Sequence, residues 1–152
     1  MKVTFNSLRF KNFRGFGNAL TDFNFHTGFN LITGKNGSGK TTINEILHYV
    51  LFGKSYSGVN ISELINRRNK KNAYGELEFQ IGEDIYLLKR GIKPDILEFL
   101  KNGEPIKVGN QEVVDSSKAL IQERINSILG INPSIYRQIV SIHNDEGSRH
   151  FL

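Results

Sequence analysis

An α/β fold is the class that this sequence predicts, and three patterns carry the prediction. A β-prone run at residues 29–33 leads directly into a glycine-rich segment, and apolar residues at helical spacing follow it. Residues 73–107 alternate apolar and polar side chains between turn signals, which predicts an antiparallel β meander. Residues 116–142 return to helical spacing. We therefore expect one domain over residues 1–152, made of a strand–loop–helix unit, a β meander and a small helical end.

The N-terminal third contains the other predicted strands. Residues 3–10 and 23–25 alternate as strands do, and the segment 12–18 between them contains the glycines of a turn region. A glycine loop of this kind usually follows a strand of a buried, mostly parallel sheet. The parallel neighbours of strand 29–33 are not visible in the sequence. The fold is therefore expected to be incomplete without a C-terminal segment.

Local signals set the expected helix ends. A helix over residues 40–52 is predicted to end before Gly53, a short helix is expected at 61–66, and Asn102-Gly103 indicates a hairpin turn. Ser116 or Ser117 caps the next predicted helix, which ends at Gly130. Asn132-Pro133 predicts another helix start, with Asn132 as the N-cap.

Composition narrows the class of protein. The chain has 152 residues, of which 38% are hydrophobic and 23% charged, as in an ordinary globular domain. It contains no cysteine, which excludes a disulfide framework or a thiolate metal site and agrees with a reducing compartment. No apolar stretch reaches the ~20 residues that span a bilayer. We expect a soluble, cytoplasmic protein with no membrane partner, whose net charge of +5 slightly favours polyanions.

The glycine-rich segment fits the pattern G-x-x-x-x-G-K-[ST] without a mismatch. It reads Gly34-Lys35-Asn36-Gly37-Ser38-Gly39-Lys40-Thr41, followed by Thr42. Glycines let the backbone wrap closely around phosphates, and successive N–H groups then point at anionic oxygens. Lys40 supplies a charge to the β and γ phosphates, and the Thr41 hydroxyl is suited to Mg²⁺. Asn36, Ser38 and Thr42 can add local hydrogen bonds. We predict that this segment binds a purine nucleoside triphosphate.

A family resemblance rests on motifs that flank this loop. The motifs are Leu8-Arg9-Phe10-Lys11-Asn12-Phe13-Arg14-Gly15, Phe29-Asn30-Leu31-Ile32-Thr33 before the loop, and Leu51-Phe52-Gly53 after it. Together they resemble the N-terminus of SMC-like ABC-type ATPases, in particular the SbcC-type subunits of DNA double-strand-break repair. The stretch Leu87 to Pro94, with Asn102-Gly103 after it, is similar to the large subunits of T-even phage recombination endonucleases. The resemblance covers nearly the whole chain.

Functional expectations follow from that resemblance. It implies ATP with Mg²⁺ as cofactors, and adenine rather than guanine as the base. Gln138 matches the family's Q-loop glutamine, which contacts Mg²⁺ and the attacking water, and Arg14 matches an arginine near the base and phosphates. In the complete ATPase, ATP would join two copies of the head. Their closure would regulate a metal-dependent nuclease subunit on DNA ends, here in a phage-infected bacterial cell if the phage similarity holds.

The sequence also departs from the family pattern. It contains no Ser-Gly-Gly type signature motif, no convincing Walker B strand and no heptad pattern of a coiled coil. Asp145-Glu146 does not follow an apolar strand directly and lies too early in the chain, so we reject it as the catalytic pair. The chain therefore resembles the N-terminal part of a longer ATPase, ending just after the Q-loop. By itself this segment is not expected to hydrolyse ATP.

One basic run has two readings. Arg67, Arg68, Lys70 and Lys71 could contact DNA phosphates, or they could form a solvated loop. His48, inside the helix after the phosphate loop, is expected to be structural.

Other functions stay open at this point. A RecF-type or SMC-type head would share every motif described so far. A transporter nucleotide-binding subunit usually has an aromatic residue before the loop that stacks on adenine, and the segment Asn12-Phe13-Arg14 argues against it. A small phosphate-loop kinase would need an arginine-bearing lid and an acceptor site, and the sequence offers neither.

Overall fold

The computed structural model describes residues 3–25, 38–106 and 118–137, without the side chains of residues 38–41. Its strands form one antiparallel sheet in the order β2-β1-β3-β4-β5-β6. They span Val3–Lys11 (β1), Thr21–Asn24 (β2), Ala73–Ile81 (β3), Asp84–Ile92 (β4), Ile96–Lys101 (β5) and Glu104–Pro105 (β6). The helices are Ser38–Phe52 (α1) and Lys118–Leu129 (α2), with a 3₁₀ turn at Ile61–Leu64 and a helical segment at 133–137.

A single sheet unites the N-terminal strands with the predicted meander. Strand β1 pairs with β2 on one side and with β3 on the other. One row of directly opposed apolar residues crosses five strands and is buried, namely Phe23, Leu8, Leu77, Leu88 and Phe99. Cross-strand contacts of this kind fix the register, because a slip by one residue would turn every apolar side chain to the other face.

The opposite face of the sheet carries a row of alternating charges. The opposed residues are Asp22, Arg9, Glu76, Lys89 and Glu98, in that order from β2 to β5. Opposite charges directly across a ladder favour this register over slipped ones. Because the row mixes signs, this face carries no uniform positive field for a polyanion.

Helix α1 packs on the buried face of the sheet at a glycine. A Cβ on Gly75 of β3 would lie 2.6 Å from Cγ2 of Val50, so only glycine permits the helix to come this close. Ile46, Leu47, Val50 and Leu51 of α1 are buried. Their spacing is the helical period that the sequence predicted, and α1 begins two residues earlier than expected, at Ser38.

The predicted helix and hairpin ends are confirmed where they fall on described residues. Gly53 and Gly130 both have positive φ, and each donates a backbone hydrogen bond into the end of its helix. Asn102 and Gly103 have φ of 52° and 85°, as a two-residue hairpin turn requires. Asn132 Oδ1 accepts the N–H of Ile135 at 2.9 Å, so it is an N-cap.

One predicted helix differs from the structure, and other predicted elements lie outside the described residues. The short helix expected at 61–66 is a 3₁₀ turn that ends at Leu64, because Ile65 is extended and bridges to Phe13. Strand 29–33 and the capping serines Ser116 and Ser117 lie outside the described residues. None of the helices within the described ranges is long and apolar enough to cross a membrane.

Candidate functional site

The N-terminus of α1 coincides with the end of the predicted phosphate loop. Gly34–Gly37 lie outside the described residues, whereas Ser38 to Thr41 form the first turn of α1. Backbone N–H groups of a first turn have no acceptor within the helix, and the helix dipole is positive there. This turn contains no acidic residue. The helix start therefore fits the phosphates of ATP, and Thr41 has the hydroxyl chemistry suited to their Mg²⁺.

The C-terminal end of α1 is held by a buried arginine. Arg90 of β4 donates from Nε to the Val50 carbonyl at 3.0 Å and from Nη2 to Gln122 Oε1 at 2.7 Å. Gln122 of α2 in turn donates to the Leu51 carbonyl at 2.8 Å. Burial lowers the pKa of Arg90 to about 10, which still leaves it cationic at neutral pH. A cation at the negative end of the helix dipole stabilises α1 in its place on the sheet.

Arg14 lies in the turn after β1 and points toward α1. Its backbone is left-handed, with φ of 50°, and its N–H donates to the Leu64 carbonyl at 2.8 Å. The guanidinium lies 3.6 Å from Glu45 Oε2. Glu45 is five residues after Lys40, which is about 7.5 Å along the axis of a helix. Arg14 is thereby placed beside the middle of α1.

Asparagines lock this turn to the loop that follows the 3₁₀ turn. Asn66 Nδ2 donates to the Arg14 carbonyl at 2.7 Å, and its Oδ1 accepts the N–H groups of Arg68 and Asn69. Asn12, fully buried, accepts from Asn69 Nδ2 at 2.7 Å through its own Oδ1. The amide oxygens and nitrogens of Asn12 and Asn66 are thus used for structure. Their network fixes where Arg14, Arg67 and Arg68 stand relative to one another.

A cleft of about 910 Å³ opens between these two segments. Arg14, Arg67 and Arg68 line it together with Glu63, and Gly15, Gly17, Asn18, Ile65, Asn66 and Asn69 complete the lining. Lys70 and Lys71 are outside this lining. The structure therefore divides the basic run, and it joins Arg67 and Arg68 with Arg14 in one cationic cleft.

Glu45 is a buried junction that the sequence did not single out. It is 4% exposed, and its carboxylate accepts the N–H of Tyr56 at 2.6 Å, the N–H of Ser57 at 3.2 Å and the Ser57 hydroxyl. With Arg14 nearby, these donors satisfy a charge that would otherwise be costly to bury. Only one sequence signal pointed to it: a carboxylate between the apolar positions Ile43 and Ile46 of the helix.

Gln138 lies outside the described residues, but the segment just before it is described. Tyr136 Oη donates to Asn44 Oδ1 of α1 at 2.5 Å, and Arg137 stacks on the Tyr56 ring. His48, expected to be structural, is buried beside them, with Nδ1 2.7 Å from the Lys54 carbonyl. Among the described residues, no group of three or more His, Cys, Asp or Glu side chains is arranged to hold a metal ion.

Several proteins of DNA repair are similar in sequence. "Exonuclease subunit 2" of Enterobacteria phage T4 is 36% identical over 110 residues, which are 72% of this chain and 19% of that protein. "DNA double-strand break repair Rad50 ATPase" of Methanocaldococcus jannaschii is 27% identical over 148 residues, which are 96% of this chain and 14% of that protein. The chain thus spans about a fifth or less of the length of these relatives.

Solved structures agree on the fold. The Smc head domain of Pyrococcus furiosus, bound to the C-terminal domain of ScpA, superposes with a TM-score of 0.57 at 26% identity. The match covers 87% of this chain and 34% of that one. A second structure, described as "ATP-driven dimerization and DNA stimulated activation of SMC ATPases", gives a TM-score of 0.57 at 24% identity, covering 88% and 83% of the two chains. The predicted α/β class, an ABC-type phosphate-loop lobe with an antiparallel meander, is confirmed.

A family model described as "AAA domain" matches residues 7–151, which includes the phosphate loop, the cleft and the segment before Gln138. The chain therefore belongs to the AAA_23 family of AAA domains.

Proposed function

We propose that this chain is the ATP-binding N-terminal part of a DNA repair and recombination ATPase. The observation that carries the proposal is the start of α1 within G-x-x-x-x-G-K-T, with a first turn free of acidic residues and a helix anchored at its far end by Arg90. An anchored helix presents its N-terminal N–H groups in a fixed direction, which is what phosphate binding requires.

Each candidate residue has a role in that proposal. The loop from Gly34 to Thr42, with Lys35 and Asn36 in it, wraps the phosphates, and Lys40 neutralises charge on the β and γ groups. Thr41 and Gln138 would hold Mg²⁺, which supplies charge neutralisation between the phosphates when it is bound. Arg14, placed beside α1 by the Asn66 network, would contact the nucleotide.

The complete protein would act through partners. The similarity to "Exonuclease subunit 2" supports a nuclease partner. The similarity to a solved structure that concerns ATP-driven dimerization of SMC ATPases supports a second copy of the head. In this proposal ATP joins two heads, and their closure regulates nuclease action on DNA ends. Signature and Walker B residues would come from sequence beyond this segment.

A second candidate is a RecF-type or SMC-type DNA-binding head. "DNA replication and repair protein RecF" of Desulfitobacterium hafniense is 33% identical over 86 residues, which are 57% of this chain. Such a head would share the loop and the cleft but need no nuclease partner. Copurification of the full-length protein with a nuclease would favour the first candidate.

Titration calorimetry with Mg²⁺-ATP tests the binding half of the proposal. Wild-type chain should bind, and Lys40→Ala should weaken binding at least tenfold, about 1.4 kcal/mol, because it removes the charge on the β and γ phosphates. Lys54→Ala, just past the end of α1, removes a charge without touching the loop and should bind as wild type does.

Steady-state phosphate release tests whether the 152-residue chain hydrolyses ATP by itself. We expect no turnover by the 152-residue chain, because the signature and the catalytic acid are missing from its sequence. Clear turnover by the wild type that Lys40→Ala abolishes would mean that the catalytic set lies within this chain. Asp145-Glu146 would then need to be reconsidered as the acidic pair.

A further inference from the structure

A buried hydrogen bond joins α1 to the helical segment at 133–137. Tyr136 and Asn44 are 6% and 9% exposed, and the Tyr136 hydroxyl donates to Asn44 Oδ1 across 92 residues of sequence. Burial raises the pKa of the Tyr136 phenol, so it stays protonated and remains a donor at any physiological pH. A polar bond in a buried position is costly to break, because both groups would lose a partner without regaining water.

Aromatic rings surround this bond. The Tyr136 ring lies 5.2 Å from His48, 5.9 Å from Phe52 and 6.0 Å from Tyr56, measured between centroids, and all three contacts are edge-on. His48 and Phe52 belong to α1, so the ring rests on the same helix that its hydroxyl bonds. This packing orients Tyr136 and excludes water from the bond.

The next residue makes a second connection. Arg137 lies 4.4 Å from the centroid of the Tyr56 ring and donates to the Tyr56 carbonyl. Tyr56 N–H in turn donates to Glu45 Oε1 at 2.6 Å. The neighbouring residues Asn44 and Glu45 of α1 thus hold Tyr136 and Arg137 by two separate routes.

We propose that Asn44 and Tyr136 are positioning residues, which transmit the state of the phosphate-binding helix α1 to the segment that leads into Gln138. This inference rests on the proposed ATP binding. Helix α1 begins at the phosphates, and Asn44 lies four residues after Lys40, about one turn of helix. A shift of α1 on nucleotide binding therefore moves the Tyr136 anchor with it. The contacts of Tyr136 are with α1 and with Tyr56, so its role in this proposal is to act through these neighbours.

Hydrogen–deuterium exchange with and without Mg²⁺-ATP tests the coupling. In the wild-type chain, nucleotide should slow exchange both in α1 and in residues 133–137. Tyr136→Phe keeps the ring but removes the hydroxyl; it should keep the protection of α1 and bind ATP within about threefold of wild type. It should lose the nucleotide-dependent protection of residues 133–137. Tyr86→Phe, which removes a hydroxyl from a buried tyrosine of β4, is the matched control and should behave as wild type.

A role limited to packing predicts another pattern. If residues 133–137 of Tyr136→Phe are protected by nucleotide as strongly as in wild type, the coupling is overturned. A double-mutant cycle with Asn44→Ala and Tyr136→Phe tests the hydrogen bond between these two residues in the absence of nucleotide. Additive changes in the unfolding midpoint would overturn the bond, and non-additive changes would support it. Failure of the wild type to bind ATP would refute the proposed function and the coupling to nucleotide, whereas the cycle would still decide whether the bond exists.

Discussion

Three buried polar side chains around α1 have hydrogen-bond partners, and each one ties a different segment to the helix. Arg90 holds its last carbonyls, Glu45 holds the loop at residues 55–57, and Asn44 holds Tyr136. Such groups stabilise only when they are satisfied, because an unpaired buried donor or acceptor costs more than a bond contributes. Single substitutions here should therefore have larger effects than substitutions on the surface.

Replacing Arg90 by methionine should destabilise the chain by about 2–4 kcal/mol. The side chain of similar length fills the space but leaves the Val50 carbonyl and Gln122 without their donor. Urea unfolding followed by circular dichroism measures the loss, and Arg124→Met on the exposed side of α2 is the control, with a change within about 0.5 kcal/mol. Equal effects of the two substitutions would contradict the anchoring role of Arg90.

His48 should make the fold sensitive to mild acid. Burial lowers the pKa of His48 below 6.5, and the positive charges of Arg137 and Lys54 add to this shift. The hydrogen bond to the Lys54 carbonyl and the charge of Glu45 oppose it. Within the described structure Nε2 is buried without a hydrogen-bond partner, so a proton placed there stays unsatisfied. The unfolded chain binds that proton more readily, and stability therefore falls as pH drops below 6.5 and is unaffected above it.

Unfolding free energies at pH 7.5 and 5.5 measure this effect. The wild type should lose up to about 1.4 kcal/mol more than His48→Phe over this interval, since one pH unit below the unfolded pKa contributes at most that amount. Phenylalanine keeps an aromatic ring in the cluster but cannot titrate. The same pH dependence in both proteins would exclude His48 as its source.

At the scale of elements, the packing of α1 on β3 depends on the missing side chain of Gly75. Gly75→Ala places a Cβ 2.6 Å from Val50 Cγ2, so the helix must move away. We expect a loss of about 1–3 kcal/mol and weaker ATP binding, because the same movement displaces the phosphate loop. Adding Val50→Ala to this variant makes room for the new Cβ and should restore part of the stability and part of the ATP binding.

Unfolding and ATP titration of the single and double variants test that expectation. Gly17→Ala is the control, since a Cβ there meets nothing within 4 Å. The contrary outcome is that Val50→Ala lowers the stability of the Gly75→Ala variant by as much as it lowers that of the wild type. In that case the alanine at position 75 does not clash with Val50, and the close approach is not what limits the packing.

Elements with local signals could be predicted from the sequence, and pairings between distant segments could not. The ends of α1 and α2 follow from Gly53 and Gly130, which lie next to the helices they terminate. The joining of β1 to β3 connects residues about seventy positions apart, and no local pattern specifies it. The same limit applies to the Asn44–Tyr136 bond.

The candidate site divides in the same way. Its phosphate loop is one contiguous motif and was predicted from residue spacing alone. The cleft depends on the left-handed turn at Arg14 and on Asn66, whose hydrogen bonds cross about fifty positions. Side-chain amides that bond backbone groups have no periodic signature, so the sequence could suggest Arg14 and Arg67 separately but not their meeting.

Across the whole molecule, charge is distributed unevenly over the described surfaces. The exposed face of the sheet alternates signs from Asp22 to Glu98, whereas the cleft gathers Arg14, Arg67 and Arg68. A net charge of +5 alone would attract DNA without preference for any face. If the cleft is where DNA binds, removal of its charges should matter more than removal of equal charge elsewhere.

Arg67 and Arg68 can be compared with Lys70 and Lys71, because both pairs carry two positive charges within one loop and only the first lines the cleft. Substituting both arginines by alanine should weaken binding of duplex DNA. It should also lower the slope of log K against log salt by about two, because each phosphate that a cation neutralises contributes about 0.9 to that slope. Substituting both lysines should change the slope by less than half as much. Fluorescence anisotropy at several salt concentrations measures both. Equal slopes for the two double variants would mean that DNA binding depends on net charge alone. The cleft would then have no specific role in DNA binding, and only a role in nucleotide binding would remain for it.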